Sequence, residues 1–394
     1  MARTRQENAV ARSLAVRTRT SSNDWHCVYK ARYGMKVAFD AVRDVLGDGC
    51  VVTQLLTCCT AVDPILQSGL YPRYLDISPR SASIDPAILV PRDDVRAVVL
   101  QHTYGIIDDE ESRALVERAH SVGAVVVEDC AHCVGRMARD ADGEPLADIS
   151  IHSFGIEKVL DTLYGGAVWV NPASPLTDVT ARAATLLAAL PALSGHLAAL
   201  ARINRFELRV FGHLPHDLSL SLRRSLPGLG LFDPAVAEAE RRGRLPWEPA
   251  RPSAYICDKA LEALGSLDGN ERDRIAVVET YRERLRGVEG VEIPSAALSG
   301  AAQPLVKFPI LVADTETSDR VIEAVCEAGY FTSAWYRPEL TPGVLDEGAY
   351  RIPTDRSALS RCDDFIARVA TLPTNIPPAA ASRVVDAVLG VVSS

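Results

Sequence analysis

Short apolar runs alternate with helical patterns from residue 34 to about residue 130, and this alternation limits the possible folds more than any other feature. The runs "CVVTQLL", "VRAVVLQ" and "AVVVED" have the length of strands, and amphipathic segments such as "DEESRALVERAHSVG" separate them. Strands that are apolar on both faces and separated by helices form a parallel sheet covered on both sides. The sequence therefore predicts an α/β fold with ligands bound beyond the carboxyl ends of the strands.

The length of 394 residues exceeds the size at which one hydrophobic core stops growing. We expect a large domain over 30–250, which includes a Leu/Ala-rich helical segment at 173–250. A smaller α+β domain is expected over 251–394, with helices in "SAYICDKALEALGSL" and "ERDRIAVVETYRERLRGV" and strands in "LVKFPILVA" and "FTSAWY". Residues 1–29 are predicted to be a frayed N-terminal arm, with an oligomer contact as the alternative.

Charge and composition narrow the possible partners and location. A formal charge of −9 does not suit a phosphate backbone, so we expect no nucleic-acid partner. The nine cysteines are odd in number, scattered and interpreted as lacking the paired spacings of a zinc site, which predicts reduced thiols in a cytoplasmic protein and no metal site. The apolar stretch 183–201 is broken by Pro191, Gly195 and His196, so it predicts two short amphipathic helices rather than a membrane span. Contact with a membrane surface is the alternative for this stretch.

Two charged residues that follow predicted strands are candidates for chemistry. Asp129 ends the strand "AVVVED", where a buried carboxylate needs a cation or a strong donor. Lys158 lies in a turn, and a partly desolvated lysine becomes nucleophilic toward carbonyls. Taken singly, Asp129 also fits a strand-end cap, Lys158 a surface lysine and His132 a core histidine. Since "QHTYG", "EDCAH" and the turn containing Lys158 all lie at strand ends of one parallel sheet, we expect these three polar clusters to converge on one pocket.

An ordered series of motifs runs through nearly the whole chain from about residue 30: "YLDISPRSASIDP", "LQHTYG", "EDCAHCVG", "SFGIEKVLDTLYGG", "GYFTSAWYRPEL" and "ATLPTNIPP". The series resembles the DegT/StrS family of nucleotide-sugar aminotransferases. That resemblance implies a pyridoxal-phosphate (PLP) enzyme of fold type I, the aspartate-aminotransferase fold. Such a fold has a mainly parallel sheet between helices and a smaller α+β C-terminal domain.

The resemblance also implies roles for single residues around the cofactor. Lys158 matches the Schiff-base lysine, and Asp129 matches the acid that keeps the pyridine nitrogen protonated. Ser153 matches a hydroxyl that contacts the phosphate, and His132 matches a position beside the ring. Cys58 stands where the family commonly has an aromatic that stacks on the ring.

At the family's phosphate turn this chain has Gly34, Met35 and Lys36. Gly34 would begin the helix whose N-terminal amides bind the phosphate, and Lys36 would either contact the phosphate or lie in solvent.

The candidate substrate residues are Tyr104, Arg251, Ser253 and Tyr336. Arg251 and Ser253 would replace an asparagine and an arginine that the neighbouring subunit often supplies in the family and that this chain lacks.

The implied function is transfer of an amino group, with glutamate the expected donor, to a keto sugar or related keto intermediate of specialised or cell-envelope biosynthesis. A homodimer with shared active sites is implied. One alternative is a PLP-dependent lyase, dehydratase or oxidase. Sugar dehydratases that resemble the family have histidine at this position, so the presence of Lys158 favours transamination. The other alternative is a non-catalytic relative, which Met35, Cys58 and the missing asparagine and arginine would suit.

Overall fold

The computed structural model describes residues 3–90 and 92–393. Within these residues the chain forms nine strands: β1 (Trp25–Val28), β2 (Cys50–Thr53), β3 (Tyr71–Tyr74), β4 (Val95–Gln101), β5 (Val125–Cys130), β6 (Ile149–Ser153), β7 (Gly166–Val170), β8 (Lys307–Leu311) and β9 (Val369–Pro373). The same residues form thirteen α-helices: α1 (Arg5–Thr18), α2 (Ala31–Leu46), α3 (Cys59–Gln67), α4 (Asp109–His120), α5 (Thr177–Ala189), α6 (Gly195–His213), α7 (His216–Ser225), α8 (Ala254–Leu285), α9 (Ser295–Leu298), α10 (Thr315–Glu327), α11 (Glu347–Tyr350), α12 (Ser360–Arg368) and α13 (Ala381–Val392).

Seven of the strands form one sheet, in the order β1-β7-β6-β5-β4-β2-β3. Strands β2 to β6 pair in parallel, whereas β7 is antiparallel to both β6 and β1. Every residue of β5 and β6 is buried, as expected for strands covered by helices on both faces. The carboxyl ends of β4, β5 and β6 therefore lie side by side at one edge, where polar residues follow each strand.

Helix α2 packs closely on this sheet, and Gly34 allows the close approach. A Cβ atom at Gly34 would lie 2.5 Å from Cγ2 of Val168 and 3.2 Å from Cγ2 of Val28. The helix begins at Ala31, with Lys30 as its N-cap. The prediction that Gly34 begins this helix is wrong, because its backbone lies one turn inside and its face is buried against β1 and β7.

Replacing Gly34 with alanine is expected to lower the free energy of unfolding by about 1–3 kcal/mol, because the added methyl overpacks this contact. Alanine elsewhere in a helix usually stabilises relative to glycine. Urea denaturation measures the change. The control is Gly195→Ala at the start of α6, where a Cβ has no atom within 4 Å. Equal effects at the two positions would contradict the packing role of Gly34.

Of the predicted frayed arm, residues 3–29 are described, and they fold against the rest of the chain instead of fraying. Helix α1 begins with a capping box in which Thr4 accepts from the Glu7 N–H and the Glu7 carboxylate accepts from the Thr4 N–H. Arg17 pairs with Asp268 and Glu271 of α8. These contacts, together with the buried apolar face of α1, hold residues 5–18 against the rest of the chain.

The C-terminal part departs from prediction in two elements. Helix α8 runs unbroken over 32 residues where two helices were expected, because its glycines lie in open space on the helix surface and interrupt no packing. Residues 331–336, all of them described, form no strand, and only Ser333 makes an isolated bridge, to Thr371. The pair β8 and β9 packs with α8, α10 and α13 around a separate apolar cluster. The domain boundary at residue 250 stays a prediction.

The helical segment predicted at 173–250 contains α5, α6 and α7, and α6 is longer than expected, at 19 residues. Among the described residues, none of the helices combines the length and the apolar character needed to cross a bilayer.

Candidate active site

A cavity of about 540 Å³ opens at the carboxyl ends of β4, β5 and β6. Seven of the residues predicted from the sequence line it: Met35, Cys58, Asp129, His132, Ser153, Lys158 and Tyr336. The expected convergence of the three strand ends on one pocket is therefore what the structure shows. The other predicted site residues lie outside the lining.

A hydrogen-bonded group centred on His132 faces Lys158. The Lys158 Nζ lies 3.0 Å from His132 Nε2, and the Tyr336 hydroxyl lies 2.8 Å from the same nitrogen. On the other side of the ring, the Tyr104 N–H donates to His132 Nδ1 at 3.0 Å. Burial, with the nearby Lys158 charge, holds the pKa of His132 well below 6.5, so the imidazole is neutral. With Nδ1 accepting, Nε2 carries the ring hydrogen and faces the lysine.

Lys158 itself is a cation that the cavity disfavours. Burial lowers its pKa below 10.5, although the nearby Cys58 and Asp129 act in the opposite direction. The Nζ also lies 5.0 Å from the centre of the Trp335 ring. Lowering the pKa increases the neutral amine fraction, which is the form that attacks carbonyls and accepts protons.

We expect the Lys158 amine of the cofactor-free protein to titrate below pH 10.5, and Asp129→Asn to lower its midpoint further, because that change removes a negative charge that favours the ammonium form. NMR titration of ¹³C-dimethylated lysines measures both values, with Lys158→Arg identifying the signal. Lys259 serves as the internal control, since it is exposed and paired with Glu262. A midpoint that rises in Asp129→Asn would contradict the assigned charge interaction.

Asp129 ends β5 as a buried carboxylate that faces the cavity. Its Oδ1 accepts from the Ala131 N–H at 2.9 Å. Burial raises its pKa above 3.8, against the opposing effects of the Ala131 N–H and Lys158. A carboxylate in this position gains from a further cationic partner, and the protonated ring nitrogen of pyridoxal phosphate is such a partner. The residue present therefore fits that cofactor.

The first turn of α2 lies earlier in the chain than predicted and borders the cavity. Lys30, Ala31 and Arg32 line the cavity, and the first N–H groups of α2 belong to this turn. Gly34 packs on the sheet, while Lys36 donates to Asp40 at 2.7 Å on the helix surface. Because orphan amides at a helix N-terminus favour anions, the candidate phosphate turn is Lys30–Arg32 rather than Gly34–Lys36.

A buried carboxylate holds this turn in place. Asp233 pairs with Lys30, with Nζ and Oδ2 2.8 Å apart. Arg32 pairs with Glu240 and donates to the Ala235 carbonyl at 2.9 Å. The sequence signal for this turn is the two basic residues at the start of the apolar helix, Lys30 and Arg32. Asp233 and Glu240 carry no such signal, since they approach from a distant loop.

Two smaller side chains, Cys58 and Ser153, also line the cavity. Cys58 is the N-cap of α3, and Thr60 Oγ1 donates to its sulfur at 3.0 Å. A hydrogen bond from Cys59 chiefly lowers the pKa of the Cys58 thiol to about 6, and Thr60, Arg32 and Lys158 add to this effect against burial. Ser153 Oγ accepts from the Gly155 N–H at 3.2 Å.

Three predicted substrate residues do not line the cavity of this chain. Tyr104 is fully buried and donates its hydroxyl to the Trp335 carbonyl, so it supports His132 from behind. Arg251 lies 3.5 Å from the Glu7 carboxylate, and Ser253 caps α8 by accepting from the Ile256 N–H. Within this chain the three residues make structural contacts. Their role toward substrate, which for Arg251 and Ser253 would concern the active site of the neighbouring subunit, stays a prediction.

The prediction that the cysteines lack a paired spacing is also wrong. Cys130 and Cys133 form a C-x-x-C pair at the end of β5, and both lie close to the buried His102.

Comparison with known proteins adds to this geometry. Residues 28–181 match the DegT/DnrJ/EryC1/StrS aminotransferase family. This match confirms the resemblance predicted from the motifs, and the matched segment of this chain contains Lys30–Arg32, Asp129 and Lys158.

Curated relatives cover different shares of the chain. Protein MosB of Rhizobium meliloti is 31% identical over 34% of this chain, and the match spans only 26% of MosB. The L-glutamine:scyllo-inosose aminotransferase of Streptomyces griseus is 24% identical over 88% of this chain and 72% of its own length. Among solved structures, NtdA of Bacillus subtilis with bound cofactor PMP is 15% identical, with a TM-score of 0.69 over 100% of this chain and 78% of NtdA. The last likeness concerns the fold alone, and it confirms fold type I.

Proposed function

We propose that this protein is a PLP-dependent aminotransferase that moves an amino group from an amino-acid donor to a keto sugar or a keto cyclitol. The observation that carries the proposal is the Lys158 amine, which faces neutral His132 at 3.0 Å in a cavity also lined by the Asp129 carboxylate. The family match over residues 28–181 supports amino-group transfer. A homodimer with shared active sites is part of the proposal.

Three parts of the cavity have groups that suit three parts of the cofactor: the phosphate, the ring nitrogen and the aldehyde carbon. The amides of Ala31 and Arg32 would hold the phosphate, Asp129 would hold the ring nitrogen, and Lys158 would hold the aldehyde carbon. When bound, pyridoxal phosphate supplies a carbon that carries the amino group between donor and acceptor and a ring that withdraws electrons from it.

The protein's own contribution to catalysis is proton handling at Lys158 Nζ. Burial increases the neutral fraction of this amine, so Nζ can take the proton from the α-carbon of the donor. In the second half of the reaction the same Nζ can give a proton to the acceptor carbon that receives the amino group. The Nε2 hydrogen of His132 lies within hydrogen-bond distance of Nζ and orients the amine. Tyr336 holds the same Nε2 at 2.8 Å, which keeps the imidazole in place while the lysine moves.

The donor and the acceptor are the finer part of the proposal. Glutamate is the donor expected from the resemblance, whereas the relative from Streptomyces griseus is named for L-glutamine. That relative is also named for an inosose, and another relative, from Caulobacter vibrioides, is a GDP-perosamine synthase. Both names involve a ring with several hydroxyl groups, so a cyclic polyhydroxy ketone is the acceptor class we propose.

The test has two stages on the same purified protein. Borohydride reduction with added pyridoxal phosphate, followed by digestion and mass spectrometry, should place a pyridoxyl group on the peptide containing Lys158. Incubation with ¹⁵N-labelled glutamate or glutamine and a panel of keto sugars and inososes should then transfer the label to a ketone. Labelling of Lys158 without amino transfer from any donor would favour the lyase, dehydratase or oxidase alternative. The absence of any pyridoxyl group would favour the non-catalytic relative.

A further inference from the structure

His102, Cys130 and Cys133 bring three soft metal ligands together beside the cavity. His102 follows β4 directly, Cys130 ends β5, and the Cys133 N–H donates to the Cys130 carbonyl at 3.1 Å in a tight turn. One potential ligand atom from each residue lies within 4.8 Å of the other two, and all three residues are buried. Neither the cofactor nor the proposed proton transfer uses this cluster.

A buried carboxylate orients the histidine of this cluster. His102 Nε2 lies 2.7 Å from Glu128 Oε1. Glu128 also accepts from the Ala138 N–H at 2.6 Å and from the Ser150 hydroxyl, so the carboxylate is fixed on both oxygens. Histidines that bind metals usually donate their second ring nitrogen to such a carboxylate, which sets the tautomer. One ring nitrogen of His102 is therefore committed to Glu128, and the other is the one a metal would take.

We propose that His102, Cys130 and Cys133 bind one Zn²⁺ ion. Two thiolates and one imidazole form a ligand set that zinc prefers, and a tetrahedral ion would keep one position for water. Two thiolates also balance the charge of the divalent ion, so the buried cluster carries no net charge. Binding releases the two thiol protons and leaves His102 neutral.

The position of the cluster gives the ion a route and a role. His102 lines the cavity, so an ion can reach the cluster from that side. His132 lies between the two cysteines in sequence, and Asp129 precedes them directly. Zinc bound to both thiols would fix the turn that carries these two cavity residues. The inference does not rest on the proposed aminotransferase activity, because it concerns metal binding alone.

Metal binding can be measured on the full chain, reduced and without added cofactor. Elemental analysis after dialysis against Zn²⁺ should give one ion per chain. Titration with Co²⁺ should give the near-ultraviolet thiolate-to-cobalt charge-transfer band, which a site made only of histidine and carboxylates lacks. Cys133→Ala should weaken Co²⁺ binding at least 100-fold, and Glu128→Gln should weaken it about 10–100-fold.

Cys257→Ala is the matched control, because Cys257 is a buried thiol that contacts a second buried thiol, Cys27, and belongs to no histidine cluster. Binding in this variant should equal that of the wild type. If Cys133→Ala does not fold, Cys133→Ser and the charge-transfer band of the wild type decide the question. A reduced wild type that binds neither Zn²⁺ nor Co²⁺ would overturn the proposal. Equal binding by Cys133→Ala and Cys257→Ala would also overturn it.

Discussion

Replacing Lys158 with alanine is expected to lower the rate of amino transfer by about 10²–10⁴-fold or more. This range is the usual contribution of a positioned acid–base group. The same change removes the only amine that the structure places beside His132 Nε2 in the described part of the cavity. The fold should survive, because burial disfavours the Lys158 charge and the side chain makes no ion pair with any residue that the structure describes. Formation of the 2-oxo acid from the donor measures activity, and urea denaturation measures stability.

Lys259→Ala is the control for this experiment, since Lys259 is an exposed lysine of α8 paired with Glu262 and far from the proposed chemistry. Its activity should match that of the wild type. A small primary amine added to Lys158→Ala should restore part of the rate if the missing function is proton transfer at Nζ. Full amino transfer by Lys158→Ala without added amine would show that another group does this work.

Replacing Asp233 with alanine is expected to lower the free energy of unfolding by about 3–5 kcal/mol, because it leaves the buried Lys30 ammonium without its partner. Asp233 is 4% exposed. Its Oδ2 lies 2.8 Å from Lys30 Nζ and accepts from the Tyr29 hydroxyl at 2.5 Å. Affinity for pyridoxal phosphate should fall as well, since Lys30 is the N-cap of α2 and lines the cavity.

The comparison variant is Asp44→Ala, which breaks the exposed pair between Asp44 and Arg182 and should change stability by less than about 1 kcal/mol. Urea denaturation of both variants measures the difference. Replacing both partners, as in Lys30→Met with Asp233→Leu, should recover most of the loss, because no charge is then buried alone. An Asp233→Ala variant as stable as Asp44→Ala would mean that water reaches Lys30.

The pH dependence of this pair follows from the carboxylate. Burial alone raises the pKa of Asp233, but Lys30 and the hydrogen bonds from Tyr29 and Trp247 bring it below 3.8. The pair's contribution to stability is therefore complete above pH 3.8 and is lost as the pH falls through the lower pKa of the folded state. The Asp233→Ala variant should lose less stability than the wild type over that range.

Several site residues could be predicted because the signal was local. Asp129 ends an apolar run, and Lys158 lies in a turn before a Gly-Gly pair, so strand periodicity alone places both at the same edge of a parallel sheet. His132 follows from the same turn. The motifs around these residues were enough for the resemblance that the family match over residues 28–181 confirms.

Errors in the prediction had distinct physical causes. The predicted start of α2 is wrong because Gly34 does not begin the helix; a glycine is required there by the close contact of α2 with Val168 of β7. The grouping of the C-x-x-C pair with His102 has no local signal, because His102 follows the neighbouring strand β4 and is distant in sequence. The role of Arg251 in the site of a neighbouring subunit stays a prediction; within this chain its carboxylate neighbour is Glu7, a contact between residues far apart in sequence.

The sequence by itself determined the α/β order of elements, the edge of the sheet that holds the site and the presence of Asp129 and Lys158 in one cavity, because each depends on periodicity and on residues adjacent in the chain. Only the tertiary structure decided which turn faces the phosphate position, which carboxylate holds Lys30 and which histidine joins the two thiols. Those contacts join residues far apart in sequence, and their formation depends on how helices and loops pack over the sheet, which no local pattern encodes.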